Sequence, residues 1–372
     1  MKTVCEFNKC AGCMACKDIC PNGAISIEKK MDAYNAVIQE DRCIGCGACH
    51  RICQRNHPGK RLPPIKWFQG WAENQELRKR CSSGGLAAAV SHSFIEKGGV
   101  VCSCTFKGGD FIFQFAETAE QAESFIGSKY VKSNPSGIYR QIRDRLKNGQ
   151  KILLIGLPCQ VSAVKNFLGG RMEKNLYTVD LICHGTPSAE VLEIFLKQYN
   201  HSLVSMKDIQ FRTKAKFHIY EADKGIVTNG VMDRYSIAFL NALIYTENCY
   251  DCSYAAKERV SDLTLGDSWG SELAVEEQKK GISLVLCQTE KGAELLEGAQ
   301  LHLEPVDLEK AIANNHQLQH SSFMPENRDE FFKRTGAGEG FNKLVRKYYP
   351  KQCLRQDVKK ALIKLKVLQK EN

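Results

Sequence analysis

The spacing of its cysteines constrains this chain more than anything else in it. Cys10, Cys13, Cys16 and Cys20 follow at intervals of three, three and four, with Pro21 behind them, and Cys43, Cys46, Cys49 and Cys53 repeat the interval. Of the 18 cysteines in 372 residues, nine fall within the first 53. Such density means either the disulfide framework of a secreted protein or metal and redox chemistry in a reducing compartment. The start, MKTVCEFNKC, has no apolar stretch of the kind a signal peptide needs. No run of about 18 apolar residues predicts a membrane span. The expected compartment is therefore the cytoplasm, with its thiols reduced.

The interval C-x2-C-x2-C-x3-C is that of the bacterial ferredoxin run. Three thiolates at i, i+3 and i+6 can wrap one corner of a cubane, which leaves the fourth cysteine pointing towards a second cluster. The expected sets are Cys10, Cys13, Cys16 and Cys53 for one 4Fe–4S cluster, and Cys43, Cys46, Cys49 and Cys20 for the other. Gly12, Gly45 and Gly47 allow close backbone approach. Gln54 replaces the usual proline, which alters a turn and not a ligand. Zinc, with four ligands from paired motifs, does not account for two such sets. Cys5 stands outside both and reads as a spare thiol.

Residues 58–66, with three prolines, read as a linker. Beyond it, apolar runs alternate with helical stretches. Strands are expected at 151–156, 176–183, 263–265 and 282–287, and helices at 84–96, 161–168 and 188–199; residues 205–230 read as irregular strands. That alternation predicts an α/β sheet with ligands at the carboxyl ends of its strands. Cys159 and Cys183 follow two of those strands, and Cys249-x2-Cys252 lies on a loop. Together the four can hold a third 4Fe–4S cluster, although a zinc site or buried thiols would look the same. Cys102, Cys104, Cys287 and Cys353 read as packing residues.

Ser82-Ser83-Gly84-Gly85 opens a helix, and small residues with free N–H groups there suit a pyrophosphate; an ordinary serine cap is the plainer reading. Gly127-Ser128-Lys129-Tyr130 offers a turn, a cation for phosphate and a ring for stacking. Lys129, Arg212 and Lys214 are candidate partners for anionic groups, and His184 is a weak candidate proton donor. GxGxxG and GxxxxGK[ST] are both absent, which disfavours a Rossmann dinucleotide site and an NTPase.

Taken together, Ser82-Ser83-Gly84-Gly85, Gly127-Ser128-Lys129-Tyr130-Val131, Gly156-Leu157-Pro158-Cys159-Gln160, Cys183-His184-Gly185-Thr186-Pro187-Ser188, Cys249-x2-Cys252 and Asp262 to Gly270 resemble the coenzyme F420 hydrogenase/dehydrogenase beta-subunit family. The likeness covers about residues 80–340. Cys81 departs from it where another serine is usual. The resemblance implies non-covalent FAD beside an iron–sulfur cluster, with Ser82, Ser83, Gly84, Gly85, Ser128, Lys129 and Tyr130 as its binding residues. It also implies a metal at Cys159, Cys183, Cys249 and Cys252. It does not fix the substrate, deazaflavin or otherwise.

The fold expected is an α+β ferredoxin-like N-terminal module (1–57) and a linker leading into a first strand (58–79). An α/β FAD-binding body (80–345) and a basic amphipathic C-terminal helix (346–372) follow. The expected function is an iron–sulfur flavoprotein oxidoreductase exchanging hydride with an unidentified organic substrate. The alternative is an electron-transfer subunit serving a partner enzyme. Expected partners are ferredoxin or another oxidoreductase subunit. Nucleic acid is not expected: of the formal charge of +10, the segment from Phe341 onward carries +8, so the rest is near neutral. In that tail Leu354, Val358, Ala361, Leu362, Leu365 and Leu368 fall on one helical face among lysines and arginines. This pattern suits packing on the protein itself or peripheral contact with an anionic membrane.

Overall fold

The computed structural model describes residues 1–222 and 224–367. In the N-terminal module each cysteine run winds into one short helix, α1 (Ala15–Ile19) and α2 (Ala48–Arg51). Each is entered through a residue in the left-handed region, Met14 and Gly47. Between them β1 (Ile25–Lys29) and β2 (Tyr34–Ile38) pair antiparallel.

The body is built on β3 (Lys66–Ala72), β4 (Val100–Lys107), β5 (Asp110–Ala116), β6 (Ile152–Gly156) and β7 (Leu176–Leu181). It continues through β8 (Gln210–Thr213), β9 (Lys216–Glu221), β10 (Lys224–Gly225), β11 (Leu263–Asp267), β12 (Ser283–Cys287) and β13 (Leu301–Glu304). An eight-stranded sheet has the order β13-β3-β12-β11-β7-β6-β4-β5. Its centre, β11-β7-β6-β4, is parallel, and the flanking strands are antiparallel. The all-buried runs Ile152–Gly156 and Ser283–Cys287 are covered on both faces, as continuous apolar strands must be. The ambiguous stretch near 205–230 forms a separate three-stranded antiparallel sheet, β10-β9-β8.

The helices are α3 (Gln75–Arg80), α4 (Leu86–Glu96), α5 (Ala119–Ala122), α6 (Ile138–Lys147), α7 (Pro158–Leu168), α8 (Ala189–Lys197) and α9 (Arg234–Leu240). They are followed by α10 (Val275–Lys279), α11 (Glu290–Glu294), α12 (Leu308–Ala313), α13 (Arg328–Gly336), α14 (Phe341–Tyr348) and α15 (Pro350–Lys364). Helix α7 starts with proline at its first position and stops at Gly169, whose φ is 63°. Proline loses no needed N–H there, and glycine takes the left-handed stop without strain.

Three departures from the sequence expectation concern boundaries. The body begins before residue 80, because β3 lies between β12 and β13 inside the main sheet. The stretch leading to it is not a loose linker: Gly59 N–H donates to Ser162 Oγ at 2.9 Å, and Leu62 bridges Arg259. The expected helix 346–372 is two helices broken at Tyr349, and Leu368 lies outside the described residues. Helix α15 buries Cys353 and Ile363, not the anticipated stripe: Leu354, Val358 and Leu365 are all at least half exposed. Among the described residues no helix is long and apolar enough to cross a membrane.

The module is sewn into the body. The Asp18 carboxylate accepts the N–H groups of Gly137 and Tyr139 at 2.7 and 3.2 Å, at the start of α6. Tyr139 Oη donates to Cys13 O at 2.6 Å. Cys13 and Ala15 belong to the same apolar cluster as Ile138, Ile142, Leu154 and Val164 of the body.

Candidate metal and cofactor site

The central strands all deliver their carboxyl ends to one edge of the sheet. Asp267 of β11 pairs with Ser283 of β12, and Ser283 with Gly70 of β3, so the antiparallel strands bring β3's end and β12's start to that edge. Cys159 is the second residue of α7, just past β6, and Cys183 lies two residues beyond β7. Cys249 and Cys252 come from the turn around 247–251. The four thiols face one another: Cys183 feels Cys249, Cys159 and Cys252, and Cys159 feels Cys252 and Cys249. Burial pushes Cys159, Cys183 and Cys252 up as bare thiols. Cys249 is served by donors instead, Thr186 N–H at 3.4 Å and Asn248 Nδ2 at 3.6 Å. Donors aimed at sulfur favour the thiolate that a metal needs.

In the module, Cys10, Cys13, Cys16 and Cys53 are buried and line one pocket with Val4, Met14 and Ala36. Gly12 N–H donates to Cys10 Sγ at 3.4 Å. The other set is open: Cys43 and Cys46 are exposed, Cys20 and Cys49 half-buried, and Ala24 N–H donates to Cys20 Sγ at 3.2 Å. Cys53, the last cysteine of the second run, shares the pocket of Cys10, Cys13 and Cys16. Cys53 acts on Cys13 and Cys16, whereas Cys20 acts on Cys49. Cys5 is no bystander. Its thiol packs with Cys10 and Cys53 in one buried cluster, and their nearness holds it well above its usual range. Cys102, Cys287 and Cys353 are completely buried packing residues, Cys81 is buried, and Cys104 is half-buried on β4.

These residues fit iron–sulfur clusters better than single ions. Each set offers four cysteine thiols, the donor set of a 4Fe–4S cluster. A zinc ion draws its sulfurs to about 2.3 Å, whereas a cubane spreads four thiolates over its corners.

The two loops expected to receive FAD meet at the same edge, where Ser128 N–H donates to Ser82 Oγ at 2.9 Å. Gly85, with φ of 88°, leads into α4 without any side-chain cap, leaving the first helical N–H groups to another acceptor. Gly127 is open: a Cβ there would touch nothing within 4 Å. Other members of the expected site turn elsewhere. Gly84 faces the sheet, where a Cβ would sit 2.4 Å from Gly70 O, and Ser83 Oγ donates to Ile282 O. Lys129 Nζ is engaged with the Phe125 and Ile126 carbonyls, and burial lowers it to about 8. Lys214 Nζ donates to the carbonyls of Arg78, Cys81 and Ser83, bracing the serine loop from behind. Arg212 is held by both oxygens of Asp267, at 2.6 Å each, and reaches Tyr130 Oη at 3.2 Å. Tyr130 stacks on Phe239, centroids 4.5 Å apart, and on Phe217 at 5.9 Å, so its ring already has stacking partners. His184 Nδ1 lies 2.6 Å from Gln317 Nε2, and burial lowers it to about 4.

Sequence reasoning gave no role to Asp267, whose partner Arg212 lies 55 residues away. It also passed over Tyr245, which is buried within electrostatic range of Cys183, Cys249 and Tyr130. Asp267 sits in the quoted Asp262–Gly270 segment, so an unexplained acid at a strand's end was the available signal.

Comparison with known proteins adds the following. Residues 149–309 match the family model for the C terminus of the coenzyme F420 hydrogenase/dehydrogenase beta subunit, and residues 9–56 match that of a 4Fe–4S dicluster domain. The chain is 23% identical over 296 residues to the F subunit of the F(420)H(2) dehydrogenase of Methanosarcina mazei, covering 72% of this chain and 79% of that one. A chain of the F420-reducing NiFe hydrogenase complex from Methanosarcina barkeri shares the fold, with a TM-score of 0.51 at 20% identity. That likeness covers 75% of this chain and 94% of the other.

Proposed function

For a chain that belongs to the coenzyme F420 hydrogenase/dehydrogenase beta-subunit family and carries a 4Fe–4S dicluster domain, we propose an iron–sulfur electron-transfer subunit of an oxidoreductase that binds FAD at the sheet edge. The observation that carries this reading is the serial placement of its thiols. The open set (Cys20, Cys43, Cys46, Cys49) approaches the buried set at Cys49 and Cys16, which share one apolar cluster, and Cys13 of the buried set lies near enough to Cys159 of the body set for their charges to interact. Tyr245 lies within the same range of Cys183, Cys249 and Tyr130. When bound, three 4Fe–4S clusters supply one-electron steps and FAD joins them to two-electron chemistry.

The chain's own residues do the rest. Backbone N–H groups of Gly12, Ala24 and Thr186 donate to the sulfurs of Cys10, Cys20 and Cys249. Val4, Met14 and Ala36 exclude water from the inner set. Ser82 and Ser128 join the two loops proposed for the flavin, and the free N–H groups of α4 suit its pyrophosphate. The exposed Cys43 and Cys46, beside the exposed Ile44, form the end from which another oxidoreductase chain or ferredoxin would be served. A hydride-exchanging organic substrate at the flavin completes the proposal. Against it stands the engagement of Lys129 and Lys214 with carbonyls, which leaves little free cation for an anionic substrate and favours the reading without a substrate of its own.

Anaerobic isolation tests the core of this. About twelve iron atoms per chain and extractable FAD are expected from three four-iron clusters. About eight iron atoms would remove the body cluster, and absence of flavin would remove the flavoprotein reading. Reoxidation of the reduced protein by an organic acceptor separates an enzyme with a substrate from an electron carrier without one.

A further inference from the structure

Lys132 is buried, 6% exposed, and lies where three thiol-bearing segments come together. Its Nζ donates to Ala11 O at 3.0 Å, within the turn between Cys10 and Cys13, and sits 5.4 Å from the centre of the Tyr34 ring. Its own N–H donates at 2.8 Å to Pro187 O, next to Thr186, which serves Cys249. The following residue, Ser133, accepts a 2.8 Å bond from Gln160, which follows Cys159. Backbone and side chain thus fix this amine between the inner thiol set of the module and the thiol set of the body. Packing leaves it no freedom, since Lys132 Cδ is among the nearest atoms to the space a Cβ on Gly12 would take.

A buried charge is normally paired with an opposite one. Among the described residues Lys132 has no carboxylate partner, and its one hydrogen-bond acceptor is a neutral carbonyl. The groups it faces are the sulfurs of the two sets, with Cys10 and Cys159 both near enough to feel its charge. Once those thiols are ligands, each added electron deepens the negative charge on either side of the ammonium.

We propose that Lys132 is an electrostatic coupling residue, holding one positive charge between the inner module cluster and the body cluster so that both are easier to reduce and electron passage between them is balanced. This rests on the cluster reading above. The geometry predicts an effect on these two centres and not on the third, because no contact of Lys132 reaches Cys20, Cys43, Cys46 or Cys49 among the described residues.

The test is a potentiometric titration, followed by electron paramagnetic resonance, of the full-length anaerobic protein and of Lys132→Gln, Lys132→Met and Lys132→Arg. Iron is counted in each. Glutamine keeps a donor for Ala11 O while removing the charge. The expected result is at least a tenfold loss in the reduction equilibrium of two centres in the neutral variants, about 59 mV for one electron. The third centre should be unmoved, and Lys132→Arg should stay near the parent. Unchanged potentials in a fully loaded neutral variant overturn the proposal. So does loss of iron from both neutral variants with retention in Lys132→Arg, which would make the residue one of assembly. An iron count in the parent too low for three clusters would defeat the cluster reading itself, a failure visible before any variant is made.

Discussion

Replacing Arg259 by methionine should damage both stability and metal content, because this guanidinium ties together the two loops that carry the body thiols. Arg259 is 1% exposed at its side chain and Asp180 is fully buried. Arg259 Nε and Nη2 both donate to Asp180 Oδ1, at 3.2 and 3.0 Å. Nη1 donates to Tyr254 O at 2.7 Å and Nη2 to Leu181 O at 3.0 Å. Tyr254 lies two residues past Cys252, and Leu181 two before Cys183. Among the described residues Asp180 Oδ2 has no hydrogen-bond partner, so the Asp180 carboxylate depends on this one arginine. Removing one member of a buried pair costs about 3–5 kcal/mol, chiefly by stranding the other charge. Chemical denaturation of Arg259→Met should register a loss of that size, with iron falling towards about eight atoms per chain as Cys252 separates from Cys183. Adding Asp180→Leu removes the stranded charge and should recover more than half of the stability but little of the iron. A single variant with the parent's denaturation midpoint and full iron would refute the reasoning. So would a double variant no more stable than the single one.

Gly12→Ala should lose about 1–3 kcal/mol, because its φ of 69° is strained for alanine and the new Cβ would meet Tyr34 Cδ2 at 2.8 Å; differential scanning calorimetry measures it. Lys129, lowered to about 8 by burial, makes stability depend on alkaline pH. A depressed folded pKa contributes stability that is present above the unfolded value and lost as pH falls through the folded one. The protein should therefore lose up to about 3 kcal/mol between roughly pH 10.5 and pH 8, and Lys129→Met should flatten that limb of a denaturation series. On α15, serine at Leu354 or Val358 should cost no more than about 0.5 kcal/mol, since both side chains are at least half exposed. Truncation before this helix should be far more harmful, because it removes the buried Cys353 and Ile363 and the Arg234–Asp357 pair.

What the sequence disclosed and what it concealed divide along a physical line. Ligand spacing is local, so the two runs of four cysteines and the dicluster domain they form could be read directly. Continuous apolar runs such as Ile152–Gly156 announce central strands, because only burial on both faces accounts for them. The place of β3 was hidden, since its partners are about 215–235 residues further along, at Ser283–Cys287 and Leu301–Glu304. The lysines misled for another reason. An amine beside a glycine-rich loop looks ready for phosphate, but Lys129 and Lys214 satisfy backbone carbonyls that the loops leave without partners. The exposed stripe on α15 shows a similar limit: periodicity identified the helix but not the face that packs.

The sharing of one apolar cluster by Cys13, Ala15 and the α6–α7 layer has a consequence for biogenesis. On the proposed cluster reading, a cofactor for the inner thiol set must enter a site that the module and the body enclose once packed together. Delivery to Cys10, Cys13, Cys16 and Cys53 therefore belongs before that closure. Cys43 and Cys46, at the surface, can still receive theirs afterwards. Maturation should run from inside outwards, and oxidative damage should take the reverse course, beginning at the surface pair and reaching the interior only when the two parts come apart.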